Sequence, residues 1–69
     1  MIAEKRAVEI VPGDRVRMMA LDGEVRFVRW YEDHPQGMGY FVVEKVDIDR
    51  NRIEHRTITM YQQERVITV

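Results

Sequence analysis

The 69-residue chain has no cysteine and no serine, only two prolines, four glycines and one tryptophan. Without cysteine no disulfide can staple the fold, and the cysteine-pair and cysteine–histidine spacings of structural zinc sites are excluded. Without serine or cysteine the nucleophile–histidine machinery of common hydrolases is excluded too. The threonines are Thr57, Thr59 and Thr68, so an N-terminal threonine nucleophile is also ruled out. No apolar run approaches a membrane span, and Met1–Ala7 lacks the apolar region of a signal peptide. The expected setting is the cytoplasm, with no membrane partner. A chain this short has little core to draw on, so a compact β-core, self-association or both must hold it together.

Charge of one sign is missing as well. Eleven basic residues face 12 acidic ones, for a formal net charge of −1. That balance disfavours a whole-surface nucleic-acid binder, which should be strongly basic. Nine of the basic residues are arginine, suited to bidentate pairing with carboxylates.

What is present is a pattern of strands. Glu24–Tyr31 alternates apolar Val25, polar Arg26 and apolar Phe27, then slips phase to apolar Val28, polar Arg29 and apolar Trp30. Period two on both sides of a slip reads as a strand with a bulge or bend, such as small barrels use to turn a corner. Around it, residues 1–7 read as a loose, flexible arm, and Val8–Val11 as a possible edge pairing. Pro12-Gly13-Asp14 reads as a turn and Arg15–Met19 as a short strand. Asp22-Gly23 is the strongest hairpin signal. His34–Gly39 is the longest irregular stretch. Tyr40–Ile48, Ile53–Met60 and Arg65–Val69 read as strands, with a polar turn at Asp49–Arg52 and a single helical turn at Tyr61–Glu64. The fold expected for residues 8–69 is therefore all-β: a small five-stranded SH3-like barrel with a short helical turn before the last strand.

Metal and phosphate motifs fail on inspection. His34 and His55 do not form the helical pair that binds zinc. Asp47-Ile48-Asp49 opens like a calcium loop, but Arg52 stands where glycine is needed and Ile58 where the bidentate glutamate belongs. No metal or cofactor is expected. Two constellations remain. The aromatics Tyr31, Tyr40 and Tyr61, with Trp30, flank the long loop or the helical turn, and a rim of that kind suits a flat ring or a cation. Trp30 itself is expected to fill the core. Arg15, Arg17, Arg26 and Arg29 alternate with buried positions on neighbouring strands, and such a basic stripe beside aromatics suits single-stranded nucleic acid. Its competing reading is a solvated face balanced by Glu24, Glu44 and Glu54.

One resemblance bears on these residues. Gly13-Asp14-Arg15-Val16-Arg17, Trp30-Tyr31, Gly39-Tyr40, Glu44, Ile58-Thr59-Met60-Tyr61 and Glu64-Arg65-Val66 together resemble the plasmid-borne type II dihydrofolate reductases. The resemblance implies an SH3-like barrel assembled as a homotetramer around one pore, where dihydrofolate meets NADPH. It also implies a ligand-orienting role for the tetrad at Ile58–Tyr61. Tyr61 keeps that pattern, whereas Thr59 replaces the family's glutamine and Met18 its pore lysine. Losing a cation and an amide costs about 1–3 kcal/mol per polar contact, so the resemblance carries the barrel further than the reaction.

The function expected from the sequence is thus a non-catalytic binding module that self-associates, as a dimer or tetramer, and binds a small ligand or peptide. Tyr31, Tyr40, Thr59 and Tyr61 are its candidate ligand residues. The alternatives are a nucleic-acid-binding module using the arginine stripe and a divergent NADPH-dependent reductase.

Overall fold

The computed structural model describes residues 2–18 and 21–69. Six antiparallel strands form one sheet: β1 (Ala3–Arg6), β2 (Arg15–Met18), β3 (Leu21–Trp30), β4 (Met38–Asp47), β5 (Arg52–Tyr61) and β6 (Arg65–Thr68). Their spatial order is β1-β6-β2-β3-β4-β5, which leaves β1 and β5 as edges, so the ladder does not close on itself. The all-β expectation holds, and the strand count rises from five to six.

The phase slip in β3 is a β-bulge. Val25 pairs with Val43 and Phe27 with Val42, so Arg26 has no residue opposite it. Before the bulge Gly23 and Val25 face inward; after it Val28 and Trp30 do, and Arg26 and Phe27 both stay outside. Inserting one residue flips which parity is buried and increases the local twist. β3 thereby serves two half-sheets, pairing with β2 on one side and β4 on the other.

A turn pins the bulge from below. Pro12 presets φ, and Gly13 takes φ +102°, a conformation a side chain resists. The turn closes with Asp14 N–H donating to Val11 O (3.1 Å) and Val11 N–H to Asp14 Oδ2 (3.0 Å). Gly13 N–H then donates to Val25 O and Val25 N–H to Asp14 O, both at 2.8 Å, fixing the residue just before the bulge.

Four local expectations are corrected. Asp22-Gly23 is not the hairpin turn but part of β3, where Met18 pairs with Leu21 and Val16 with Gly23. The connection itself falls at residues 19–20, outside the described residues. Gly23 is needed because a Cβ there would collide with the backbone carbonyl of Glu44, where β4 crosses close by. The arm expected to be loose supplies β1, whose backbone pairs with β6 from Ala3↔Thr68 to Arg6↔Arg65. Val8–Val11 does not pair as a strand; Ala7–Glu9 winds into a short 3₁₀ helix. The helical turn expected at Tyr61–Glu64 is a hydrogen-bonded turn, with Glu64 N–H donating to Tyr61 O (3.1 Å).

The core is small. Ala7, Ile10, Val16, Val25, Phe41, Val43, Met60 and Val66 are buried, with Met18, Leu21, Val28, Trp30 and Ile58 packed at its margin. Phe41 is the largest fully buried side chain, and Trp30 meets it edge-on at 6.0 Å and 88°. The β4–β5 hairpin runs past this core: inward-facing Lys45, Asp47, Arg52 and Glu54 are all charged. The molecule is correspondingly long, 41 × 24 × 19 Å.

Two outcomes follow. Phe41→Ala removes the ring on which both half-sheets rest and should cost about 3–5 kcal/mol. A domain this small has only about that much net stability, so far-UV dichroism under urea should show a largely unfolded variant. The second concerns Glu9, whose side chain accepts from the Arg6 backbone N–H (3.0 Å) and from Arg6 Nε (3.2 Å). The backbone hydrogen bond foremost, then the guanidinium, holds the Glu9 carboxyl below its ordinary range. A depressed folded value stabilises the fold above the unfolded value, and that share disappears as pH falls through the folded one. Glu9→Gln should therefore lower the melting temperature at neutral pH and flatten the acid limb, so that variant and parent converge at low pH.

Candidate functional site

Parity along the strands decides which side chains share the outer face of β3–β4–β5. Arg29 pairs with Tyr40 and Tyr40 with Thr59; Phe27 pairs with Val42 and Val42 with Thr57; Met38 pairs with Tyr61. All of these point away from the core, whose partners occupy the other parity. Tyr40 stands at the centre, 6.1 Å from the Phe27 ring and 6.1 Å from the Tyr31 ring. Tyr61 lies at the end of β5 with its ring 6.2 Å from His34, which brings the irregular loop onto the same side. The sequence-predicted residues Tyr31, Tyr40, Thr59 and Tyr61 are thus placed on one face, Tyr40 and Thr59 as direct cross-strand neighbours. Trp30 belongs to the core margin, as expected of it.

This face is apolar for a surface. Phe27 is 49% exposed, Tyr31 and Tyr61 41% each, and towards the hairpin tip Val46 and Ile53 reach 62% and 57%. Phe27 is the member that alternation alone misassigns. Only the position of the bulge, one residue earlier than the apolar pattern suggests, turns it outward.

The arginine stripe is divided. Arg15 Nε and Arg17 Nη2 each lie 3.5 Å from a carboxylate oxygen of Asp22. Arg26, the bulge residue, reaches Glu24 (2.5 Å) and Glu44 (3.3 Å), two carboxylates that stand directly opposite across the β3–β4 ladder. The hydrogen bond to Glu24, then the charge of Glu44, raises the Arg26 pKa above its ordinary value. Like charges facing across strands repel, and the bulge inserts a cation between them. Arg29 has no carboxylate partner among the described residues. The stripe is therefore largely neutralised by its own strands.

A second concave region was not legible in the sequence. An open cleft of about 820 Å³ lies beside the inner side of β5, where the sheet stops short of closing. Its apolar lining includes Met18, Leu21, Ile58 and Met60, and its cations are Arg17, Lys45, Arg56 and Arg65 against one acid, Glu64. Arg17 and Arg65 have carboxylates at 3.5 and 3.7 Å, from Asp22 and Glu4; Lys45 and Arg56 have none among the described residues. No group of three or more histidine, aspartate or glutamate side chains is placed to hold a metal ion among the described residues. No helix among them is long and apolar enough to cross a membrane. Comparison with protein-family models, curated proteins and solved structures finds no match for the chain.

Arg26→Met should leave Glu24 and Glu44 facing without a counter-ion. The variant should melt lower than the parent, with the gap narrowing as salt screens the repulsion. Adding Glu44→Gln should recover part of the loss. Equal melting of Arg26→Met and the parent at low salt would show that the bulge residue's charge is idle.

Proposed function

We propose that this chain is a small non-catalytic binding module, built as an SH3-like barrel, that self-associates through its aromatic face and binds a small ligand or peptide. The barrel reading is supported by the strand order: β6-β2-β3 and β3-β4-β5 share one bent strand, and the open seam lies between the outer strands. β1 is an addition outside that unit.

The exposed aromatic face carries the self-association reading. With eight buried apolar residues among those described, the chain leaves Phe27, Tyr31, Tyr61, Val46 and Ile53 in contact with water on one side of the sheet. The aromatic group and the Val46–Ile53 pair are separated on that face by the Glu44–His55 rung, and exposed apolar groups concentrated on one face mark interfaces more often than idle surface. Burying even half of such a patch against a second copy contributes at about 25 cal/mol per Å² of apolar area. Assembly of that kind also supplies stability that a core this size lacks. The ligand reading rests on the cleft, whose volume is within the range of about 300–1,000 Å³ typical of ligand sites. The nucleic-acid alternative is weakened by the ion pairs of Arg15, Arg17 and Arg26. The reductase alternative keeps Thr59 and Tyr61 together on one face but lacks the lysine and the amide of the resembled family.

Sedimentation velocity at high micromolar concentration should give a dimer or tetramer. Phe27→Glu should shift it to monomer while the β-sheet spectrum persists. A wild type that sediments as a strict monomer removes the self-association. For the non-catalytic clause, NADPH oxidation in the presence of dihydrofolate should not exceed the buffer blank, and any protein-dependent rate overturns it.

A further inference from the structure

We infer that the β5 edge and the cleft beside it form a docking site for one kind of partner: an extended acidic–apolar peptide segment that adds a seventh strand. The inference rests on the binding-module reading and names the ligand that the module takes.

Backbone direction makes the edge available. Gln62 N–H donates to Gly37 O, so the alternation of an antiparallel ladder turns the even-numbered amides of β5 toward β4. The odd-numbered ones, at Ile53, His55, Thr57, Thr59 and Tyr61, then point away from the sheet. Tyr61 agrees: its N–H donates to Glu64 Oε1 at 3.1 Å rather than to β4. That carboxylate caps the last outward amide and leaves those of Thr57 and Thr59 for a partner strand. An uncovered edge strand is a template for strand addition.

Side chains say what the added strand carries. Arg56, Ile58 and Met60 alternate on the inward parity of β5, and Thr57 and Thr59 between them also border the cleft along the strand's free edge. A segment running antiparallel to β5 would therefore place two apolar residues against Met60 and Ile58, then an acidic one against Arg56. Lys45, on the same side of the neighbouring strand, adds a second cation; Glu54 stands opposite it in the ladder but pairs with Arg52 (3.1 Å), and Lys45 forms no ion pair among the described residues. On the outer face Arg15, Arg17 and Arg26 are held in ion pairs and Arg29 alone is not, whereas the cleft keeps two unpaired cations beside apolar surface. That charge selects against a basic or wholly apolar strand.

The test uses the full chain and a labelled peptide, acetyl-Thr-Val-Thr-Val-Thr-Glu-Thr-amide, followed by fluorescence anisotropy. Three controls accompany it: the same peptide N-methylated at the amides that would face β5, the peptide with lysine for glutamate, and a labelled oligo-dT. Saturable binding should weaken at least about tenfold with N-methylation, with the lysine peptide and in the exposed-site variant Arg56→Glu. In amide exchange, Thr57 and Thr59 should slow on adding peptide. Equal binding of the N-methylated peptide overturns strand addition, and equal binding of the lysine peptide overturns the acidic preference. Oligo-dT that binds and displaces the peptide reassigns the cleft to nucleic acid. If Thr57 and Thr59 are protected without peptide, in proportion to protein concentration, a second copy holds the edge and the inference falls. A chain that self-associates yet binds no peptide loses this inference alone, because self-association is read from Phe27→Glu at the aromatic face.

Discussion

The bulge at Arg26 is the constraint from which the other features descend. A strand with strict alternation cannot bury Val25 and Trp30 on the same side, because five positions separate them and the side-chain period is two. One extra residue makes both inward. It lets β3 finish one half-sheet with β2 and begin another with β4, so that Phe41 and Val43 of β4 meet Val16 and Val66 in a common core. The Pro12–Asp14 turn secures the bend with backbone bonds on both sides of Val25. The bulge residue itself stands between Glu24 and Glu44, so geometry and charge are settled by one insertion.

A short chain bent in this way cannot cover everything it turns outward. Among the described residues the inner surface is consumed by eight buried apolar side chains. Phe27, displaced outward by the same insertion, joins Tyr40 and Tyr31 on the far side. The β4–β5 hairpin then extends past the core with charged residues inside and Val46 and Ile53 outside, the reverse of a half-buried sheet. That reversal is hard to understand as a monomer's economy and easy to understand if the outer face meets another surface. The cleft beside β5 arises from the same shortage, since the strands that would close the sheet are too few and too short.

Much of this was legible from residue order, and the reasons are local. Alternation with a slip located β3 and its bend, because burial on a pleated strand is written directly into polarity. Pro12-Gly13-Asp14 announced its turn through backbone preferences that hold in any context. Where two preferences compete, the local signal lost. Asp22-Gly23 has turn chemistry, yet Gly23 is required by the close carbonyl of Glu44, a long-range contact that no window of sequence contains. Residues 3–6 carry too little hydrophobic pattern to be read as a strand, and become one because the free side of β6 is there to pair with. Phe27 was misread for a subtler reason: a bulge can be placed one residue either way without changing the count of apolar positions. The grouping of Tyr31, Tyr40, Thr59 and Tyr61 depended on register between β4 and β5, which hydrophobicity suggested but could not set. The cleft was invisible because its lining comes from five different strands and the turn before β6.

The distribution of charge separates the two surfaces more sharply than their shape does. With 11 basic and 12 acidic residues, the chain has enough carboxylates to match every cation. On the outer face Asp22, Glu24 and Glu44 pair with Arg15, Arg17 and Arg26, and Arg29 alone has no carboxylate partner among the described residues. Arg29 apart, the cations without a carboxylate partner among the described residues are gathered: Arg56 and Lys45 lie beside one concavity, on the inward parity of adjacent strands. An unpaired cation costs little while water reaches it and gains most when an anion arrives with apolar groups that displace that water. Neutral ion pairs suit a face that packs against a copy of itself, where like charges would oppose each other across the symmetry axis. Unmatched positive charge suits a face that meets something different. The two surfaces therefore differ in charge as well as in shape, the aromatic face turned out by the bulge and the cleft lying at the open β5 edge.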